Sequence, residues 1–209
     1  MAFALVLLLL LVNPLEFLQA QEIKEVIEKI NNFYQEVQSL RGNFLQETHF
    51  KNGQRELRSG KLWIKKPGLF RWEYLTPEKF VIISDSRNLY VYYPEENQAY
   101  VYPSGKALSS QLALGFMSGR GDIRRDLRLE SFKVLENNFW ELTFLPAYQD
   151  SQIEKIALRI NLANGEVKEI VLFYYSGERV RLALQNLEYN LNLSNKLFEF
   201  QPPKRTKIN

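Results

Sequence analysis

The ten residues KKPGLFRWEY, positions 65–74, decide how the chain is read. Lys65 and Lys66 lead into a Pro-Gly pair, after which Phe70 and Trp72 alternate with Arg71 and Glu73. Basic residues interleaved with aromatics fit a surface that stacks nucleic acid bases. They equally fit a strand with one apolar and one wet face, entered through a turn at Pro67-Gly68. The residues on either side choose between the two.

Strand-like segments surround it, near 43–51, 56–65, 69–74, 79–84, 88–93 and 98–102, separated by the turn sequences KNGQ, KPG, TPE, DSRN and PEEN. Connections this short imply antiparallel neighbours. A second run lies near 128–135, 139–145, 153–161, 167–174 and 179–187, with ENN, LANGE and YSGE at its turns. Ile156, Leu158 and Ile160 alternate with Lys155, Ala157 and Arg159, the pattern of one buried and one wetter face. The 14 Phe and 11 Tyr suit pleated, half-buried surfaces better than helices. The segment at 65–74 is therefore the bend of a strand pair at Pro67-Gly68, within a mainly β single domain of about eleven strands over 21–209.

Two stretches break the β pattern. QEIKEVIEKINNFYQEVQSL, residues 21–40, spaces Ile23, Val26, Ile27, Ile30, Phe33, Tyr34, Val37 and Leu40 mostly by three or four, as an amphipathic helix does. Plain core packing and a lid over something apolar are both compatible with that stripe. Residues 107–126 interrupt the sheet; Ser109 or Ser110 and Asp122 are candidate helix caps, and Leu108, Leu112, Leu114, Phe116 and Met117 give the insertion an apolar side. About eight strands make a barrel filled by its own side chains, and more strands curl around a space that needs other contents. Helices closing such a sheet would enclose a hydrophobic cavity.

At the N-terminus an unbroken apolar run, Ala2–Val12, is too short to span a bilayer and suits a secretory signal peptide cleaved near Ala20, with an uncleaved membrane anchor as the alternative because no Lys or Arg precedes it. Residues 1–20 hold one acid, Glu16, and no base, so a chain starting at Gln21 carries 27 basic and 23 acidic residues, a net charge of +4. The charges are dispersed rather than gathered in a stripe, and export argues further against nucleic acid. The chain has no cysteine, so it holds no disulfide and is not itself a lipoprotein acylated on cysteine. His49 is the only histidine, no serine sits in a G-x-S-x-G turn, and no Gly-rich phosphate loop appears, so nothing points to an enzyme, a metal or a cofactor. Arg120-Gly121-Asp122 and the sequon Asn192-Leu193-Ser194 are short patterns read as chance matches.

NFLQ at 43–46, SGKLWIKKPGLFRWEY at 59–74, VIISDSRNLYVYYPEENQ at 81–98 and FEFQPPK at 198–204 follow, in order, the pattern of the LolA family of periplasmic lipoprotein carriers. The resemblance covers essentially all of 21–209. It implies an unclosed, half antiparallel β-barrel of eleven strands with an α-helical lid over a hydrophobic cavity. It also implies a monomeric periplasmic chaperone that catalyses no reaction, binds acylated lipoproteins from an inner-membrane ABC transporter, LolCDE, and passes them to the outer-membrane receptor LolB. An RseB-like lipid-sensing module on the same half-barrel is the alternative, although such proteins carry a further C-terminal domain.

Phe70 and Trp72 match the aromatic pair of the family's R-P-x-x-F-x-W segment. With Leu62 and Ile64, and with Leu112, Phe116 and Met117 of the insertion, they are the expected acyl-chain or partner contacts. Phe70 is expected at the cavity mouth, where Phe70→Glu would weaken transfer and leave the fold intact. The lid helix is expected to present Ile23, Ile27, Ile30 and Phe33. The family arginine that latches the lid falls on Lys66, which keeps the charge without the planar donor fork. Ser86 stands where glycine is usual, so Asp85 or Asn88 is expected to carry the strained backbone angles.

Overall fold

A computed structural model describes residues 14–103, 122–147 and 152–209. Helix α1 spans Pro14–Glu36 and is followed by β1 (Ser39–His49), β2 (Arg55–Lys65), β3 (Leu69–Thr76), β4 (Phe80–Asp85), β5 (Asn88–Tyr93) and β6 (Gln98–Pro103). A one-turn helix α2 (Ile123–Asp126) leads into β7 (Leu127–Val134), β8 (Phe139–Pro146), β9 (Ile153–Asn161), β10 (Glu166–Tyr174) and β11 (Arg179–Tyr189). A 3-10 turn (Asn195–Phe198) and the two-residue β12 (Lys207–Ile208) complete the described chain.

The strands form one sheet in the order β12-β6-β5-β4-β3-β2-β1-β11-β10-β9-β8-β7. Two antiparallel meanders, β1–β6 and β7–β11, join where β1 pairs with β11, and β7 and β6 do not pair, so the barrel is unclosed. The turns supply the backbone angles that the strands need. Asn137 and Asn138 both have positive φ, as a tight hairpin requires, and Gly53, Gly165 and Gly177 occupy the same region at three other turns.

The core lies on the concave face. Leu62 and Ile64 of β2, Phe70 and Trp72 of β3, and Leu142, Leu158, Ile160 and Ile170 of the second meander are buried with Val26, Ile30, Tyr34 and Val37 of the helix region. Each such side chain stabilises the fold by about 2 kcal/mol before its ordering cost is counted. The convex face has a smaller apolar layer. There Phe198 is buried, Phe200 packs against Tyr90 and Tyr92, and Lys65 Nζ donates to Leu193 O and Asn195 Oδ1, each at 2.7 Å.

Three expectations change. The helix ends at Glu36 rather than Leu40, because Ser39 and Leu40 already pair with Lys65 and Ile64, and Gln38 N–H donates to Asn190 Oδ1 at 2.8 Å. Leu40 fits the helical stripe and the inward face of a strand equally well, so periodicity did not separate them. Among the described residues the sheet keeps the expected eleven antiparallel strands and gains a short twelfth, because Lys207–Ile208 returns parallel to β6 and covers its edge.

In the β4–β5 turn, Ser86 itself holds positive φ, at 77°, and neither Asp85 nor Asn88 does. The Asp85 carboxylate instead accepts from Arg87 N and Asn88 N at 2.8 and 2.7 Å and from the Tyr90 hydroxyl at 3.0 Å. Burial raises its pKa, but these donors outweigh burial and hold it below the usual carboxylate range. Ser86→Gly relieves the left-handed strain at some cost in unfolded-chain entropy, and is expected to raise the melting temperature by about 1–3 °C. A thermal melt followed by circular dichroism measures it; a lower midpoint would show that the serine side chain does more for the turn than its φ costs.

Candidate functional site

The site is the concave face and the helix laid across one end of it. In α1 the apolar stripe at helical spacing faces inward: Ile30 is fully buried, while Ile23, Ile27 and Phe33 are partly buried against the same core. Leu62, Ile64, Phe70 and Trp72 come together beneath this stripe. Phe70 is only 1% exposed and packs in the core beneath the helix, with no open face to solvent in this structure. Leu112, Phe116 and Met117 lie outside the described residues.

Lys66 reaches the helix. Its backbone N–H donates to Gln38 O at 2.8 Å, and its ammonium donates to the Tyr34 carbonyl. That carbonyl is in the last turn of α1, where helical carbonyls lack intrahelical donors and a cation is favourable. Burial lowers the Lys66 pKa, as expected for an ammonium partly withdrawn from water. Lys66→Leu is expected to raise the exchange rate of amides in the last turn of α1 about tenfold, the usual worth of one hydrogen bond to a charged group. Hydrogen exchange read by mass spectrometry checks this; unchanged protection there would remove Lys66 from helix docking.

The sequence did not show what holds the middle of α1. The β9–β10 turn comes so close that a Cβ on Gly165 would lie 2.7 Å from Lys29 O, and Lys29 Nζ donates to Leu162 O at 3.0 Å. Val167 N–H donates to the Tyr34 hydroxyl at 3.2 Å, and Phe33 meets Tyr34 and Tyr189 edge-on at 5.0 and 5.1 Å. The Tyr189 hydroxyl donates to Glu166, whose other oxygen is 2.8 Å from Lys168 Nζ. Burial first, then the hydrogen bond to Glu166, pushes the Tyr189 pKa far above its ordinary value; burial alone dominates for Tyr34. Gly165 was legible only as a turn glycine, and Tyr34 only as one member of an apolar stripe.

Away from α1 the concave face continues through partly buried Ile82, Leu172, Tyr174 and Leu182. A shallow depression of about 230 Å³ lies on the convex side, between Lys61, Trp63, Asn43 and the Arg41–Glu188 ion pair. His49 Nε2 lies 2.7 Å from Glu47 Oε1.

An open antiparallel sheet with an apolar concave face, covered at one end by an amphipathic helix, defines a helix-capped half-barrel. The chain belongs to the LolA family: residues 35–201 match the family described as outer membrane lipoprotein carrier protein LolA. It is 31% identical over 177 residues to an outer-membrane lipoprotein carrier protein of Alkalilimnicola ehrlichii, covering 84% of this chain and 79% of the relative. A second such protein, from Dechloromonas aromatica, is 26% identical over 178 residues, covering 85% of this chain and 84% of the relative. The fold is similar to that of an uncharacterized conserved protein from Thermus thermophilus, with a TM-score of 0.57 at 16% identity, covering 90% of this chain and 99% of that one.

Proposed function

We propose that this protein is a periplasmic lipoprotein carrier that shelters acyl chains against the concave face of its half-barrel. It takes them from LolCDE and passes them to LolB without catalysing a reaction, after export and cleavage near Ala20. The observation that carries this reading is the way α1 is held. Its buried contacts are mainly apolar, with Asn31 the buried polar exception, and among the described residues its polar ties to the sheet run through Lys66 at the C-terminal turn, Lys29 in the middle and Tyr34 at Val167. An acyl chain that takes the place of Ile30 and its neighbours exchanges one apolar contact for another, so the helix is an occupant that a lipid can displace at low net cost. Each CH2 kept from water is worth about 0.8 kcal/mol, which makes unaided diffusion of a triacylated protein through the periplasm prohibitive. Family membership supports the same cargo, and no helix among the described residues is long and apolar enough to cross a membrane.

Equilibrium binding of a synthetic triacylated lipopeptide, beside its unacylated counterpart, tests the proposal. The expected result is binding of the acylated form alone, followed by transfer to purified LolB. Failure to bind at micromolar concentration would overturn it, and binding without transfer would favour the RseB-like sensing role.

A further inference from the structure

At the end of the concave face away from the α1 C-terminus, the apolar lining gives way to a charged pair. Phe44, buried in the core, stands opposite Gly60, and the unbroken β1–β2 register then sets Gln46 opposite Arg58 and Thr48 opposite Glu56, all on the inner face. On the other flank of β1 their neighbours are Leu182 and Val180. Arg58 Nε and Nη2 lie 2.9 and 2.7 Å from the same oxygen of Glu56, and the guanidinium carbon sits 6.0 Å from the Tyr74 ring centre and 5.5 Å from that of Phe80. Those two rings stack on each other at 4.1 Å. The Tyr74 hydroxyl donates to Gln46 Oε1 at 2.9 Å, and Gln46 Nε2 lies 3.3 Å from Thr48 Oγ1.

A half-buried ion pair adds little to stability, and an apolar pair of similar volume would serve the fold as well. Two donors on this face also have no acceptor among the described residues. Arg58 Nη1 has no bond among the described residues, since Nε and Nη2 both go to Glu56. The Trp72 indole N–H is buried without an acceptor, one ring away from Tyr74 through Phe44, with both ring separations at 4.9 Å. Buried indole N–H groups ordinarily find a partner, and no described residue supplies one here.

We propose that Arg58, Glu56, Gln46 and Tyr74 form a polar subsite that receives the neutral ester or amide carbonyls joining acyl chains to a head group. It rests on the carrier reading above and adds selectivity to it. Carbonyl oxygens are acceptors, as these two donors require, and they carry no charge, as the neighbouring Glu56 requires. A free fatty acid would bring a second carboxylate beside Glu56 and be repelled. The subsite thereby fixes how deep the chains enter and favours an acylated peptide over free fatty acid.

The test compares the affinity of the full chain for a dipalmitoylglyceryl lipopeptide with its affinity for the dihexadecyl ether analogue, which lacks the carbonyls. The wild type is expected to prefer the ester about tenfold. Arg58→Met keeps the aliphatic stem and should erase that preference while ether affinity and melting temperature stay within error. Glu56→Gln should raise palmitate affinity about tenfold. Equal ester and ether affinities in the wild type, or an equal loss for both ligands in Arg58→Met, would overturn the subsite while leaving the carrier standing; no binding of either ligand would overturn both.

Discussion

Phe70→Glu is expected to abolish the folded state. Phe70 lies opposite Ile64 on one side and Ser84 on the other, is 1% exposed, and packs in the same core as Leu62, Trp72 and Ile30. Removing a buried phenyl ring alone costs about 3–5 kcal/mol. The glutamate must then either ionise without a partner in an apolar place or stay protonated with unsatisfied oxygens, and either choice adds a few kcal/mol more. Domains are stable by about 5–15 kcal/mol in total, so the sum consumes most or all of the margin. Phe70→Leu, which keeps most of the volume, should cost only about 1 kcal/mol and marks the difference between lost packing and buried charge. Urea titration followed by tryptophan fluorescence separates these cases: the expected result is no folded baseline for the glutamate variant and a modestly lowered midpoint for the leucine variant. A glutamate variant with a normal midpoint and impaired binding would place Phe70 at an open mouth, as the sequence alone had it.

That difference shows where sequence reading stops. The alternation in Leu62, Ile64, Phe70 and Trp72 identifies one apolar face, and turn chemistry such as ENN and LANGE places the strand ends, because both depend on neighbours in the chain. Whether that face meets a helix, a ligand or water is decided by residues far away, and no local period reports it. The buried Phe70, the approach of Gly165 to Lys29 and the bond from Lys66 to Tyr34 are all of this kind. Lys66 stands out through its place in a family pattern, whereas Tyr34, its acceptor, is one member of a helical stripe. At Ser86 the reason is more local: a serine in a glycine's place predicts strain at its neighbours, but the Asp85 carboxylate accepts from Arg87 N and Asn88 N, and the serine keeps the unfavourable φ. In the sequence Arg58 is one dispersed charge among many, and only the register turns it inward.

Gly165→Val is expected to detach α1 while leaving the sheet folded. The residue has φ +81°, where a β-branched side chain is strained, and its new Cβ would fall 2.7 Å from Lys29 O and 2.8 Å from Lys29 C, both backbone atoms of the helix. Neither the helix backbone nor the turn has a flexible side chain that could give way. The helix must move or the turn must open, and the combined cost is about 3 kcal/mol. The loss falls on α1 because the sheet is held by its own ladder, with β9 and β10 paired from Asn161–Glu166 to Ile153–Tyr174. Once displaced, α1 gives up the Lys29–Leu162 and Tyr34–Val167 bonds and uncovers Leu62, Ile64 and Phe70. Hydrogen exchange should show amides from Ile27 to Val37 losing about a hundredfold in protection while those of β1, β2 and β11 keep theirs. An environment-sensitive apolar dye should bind the variant and not the wild type. If α1 is the occupant that acyl chains replace, the variant should also take up lipopeptide faster and release it more slowly, because the helix no longer competes for the face. Intact α1 protection, or uniform loss of protection across the sheet, would show that helix and barrel are one cooperative unit and that the helix is part of the core, not a cover.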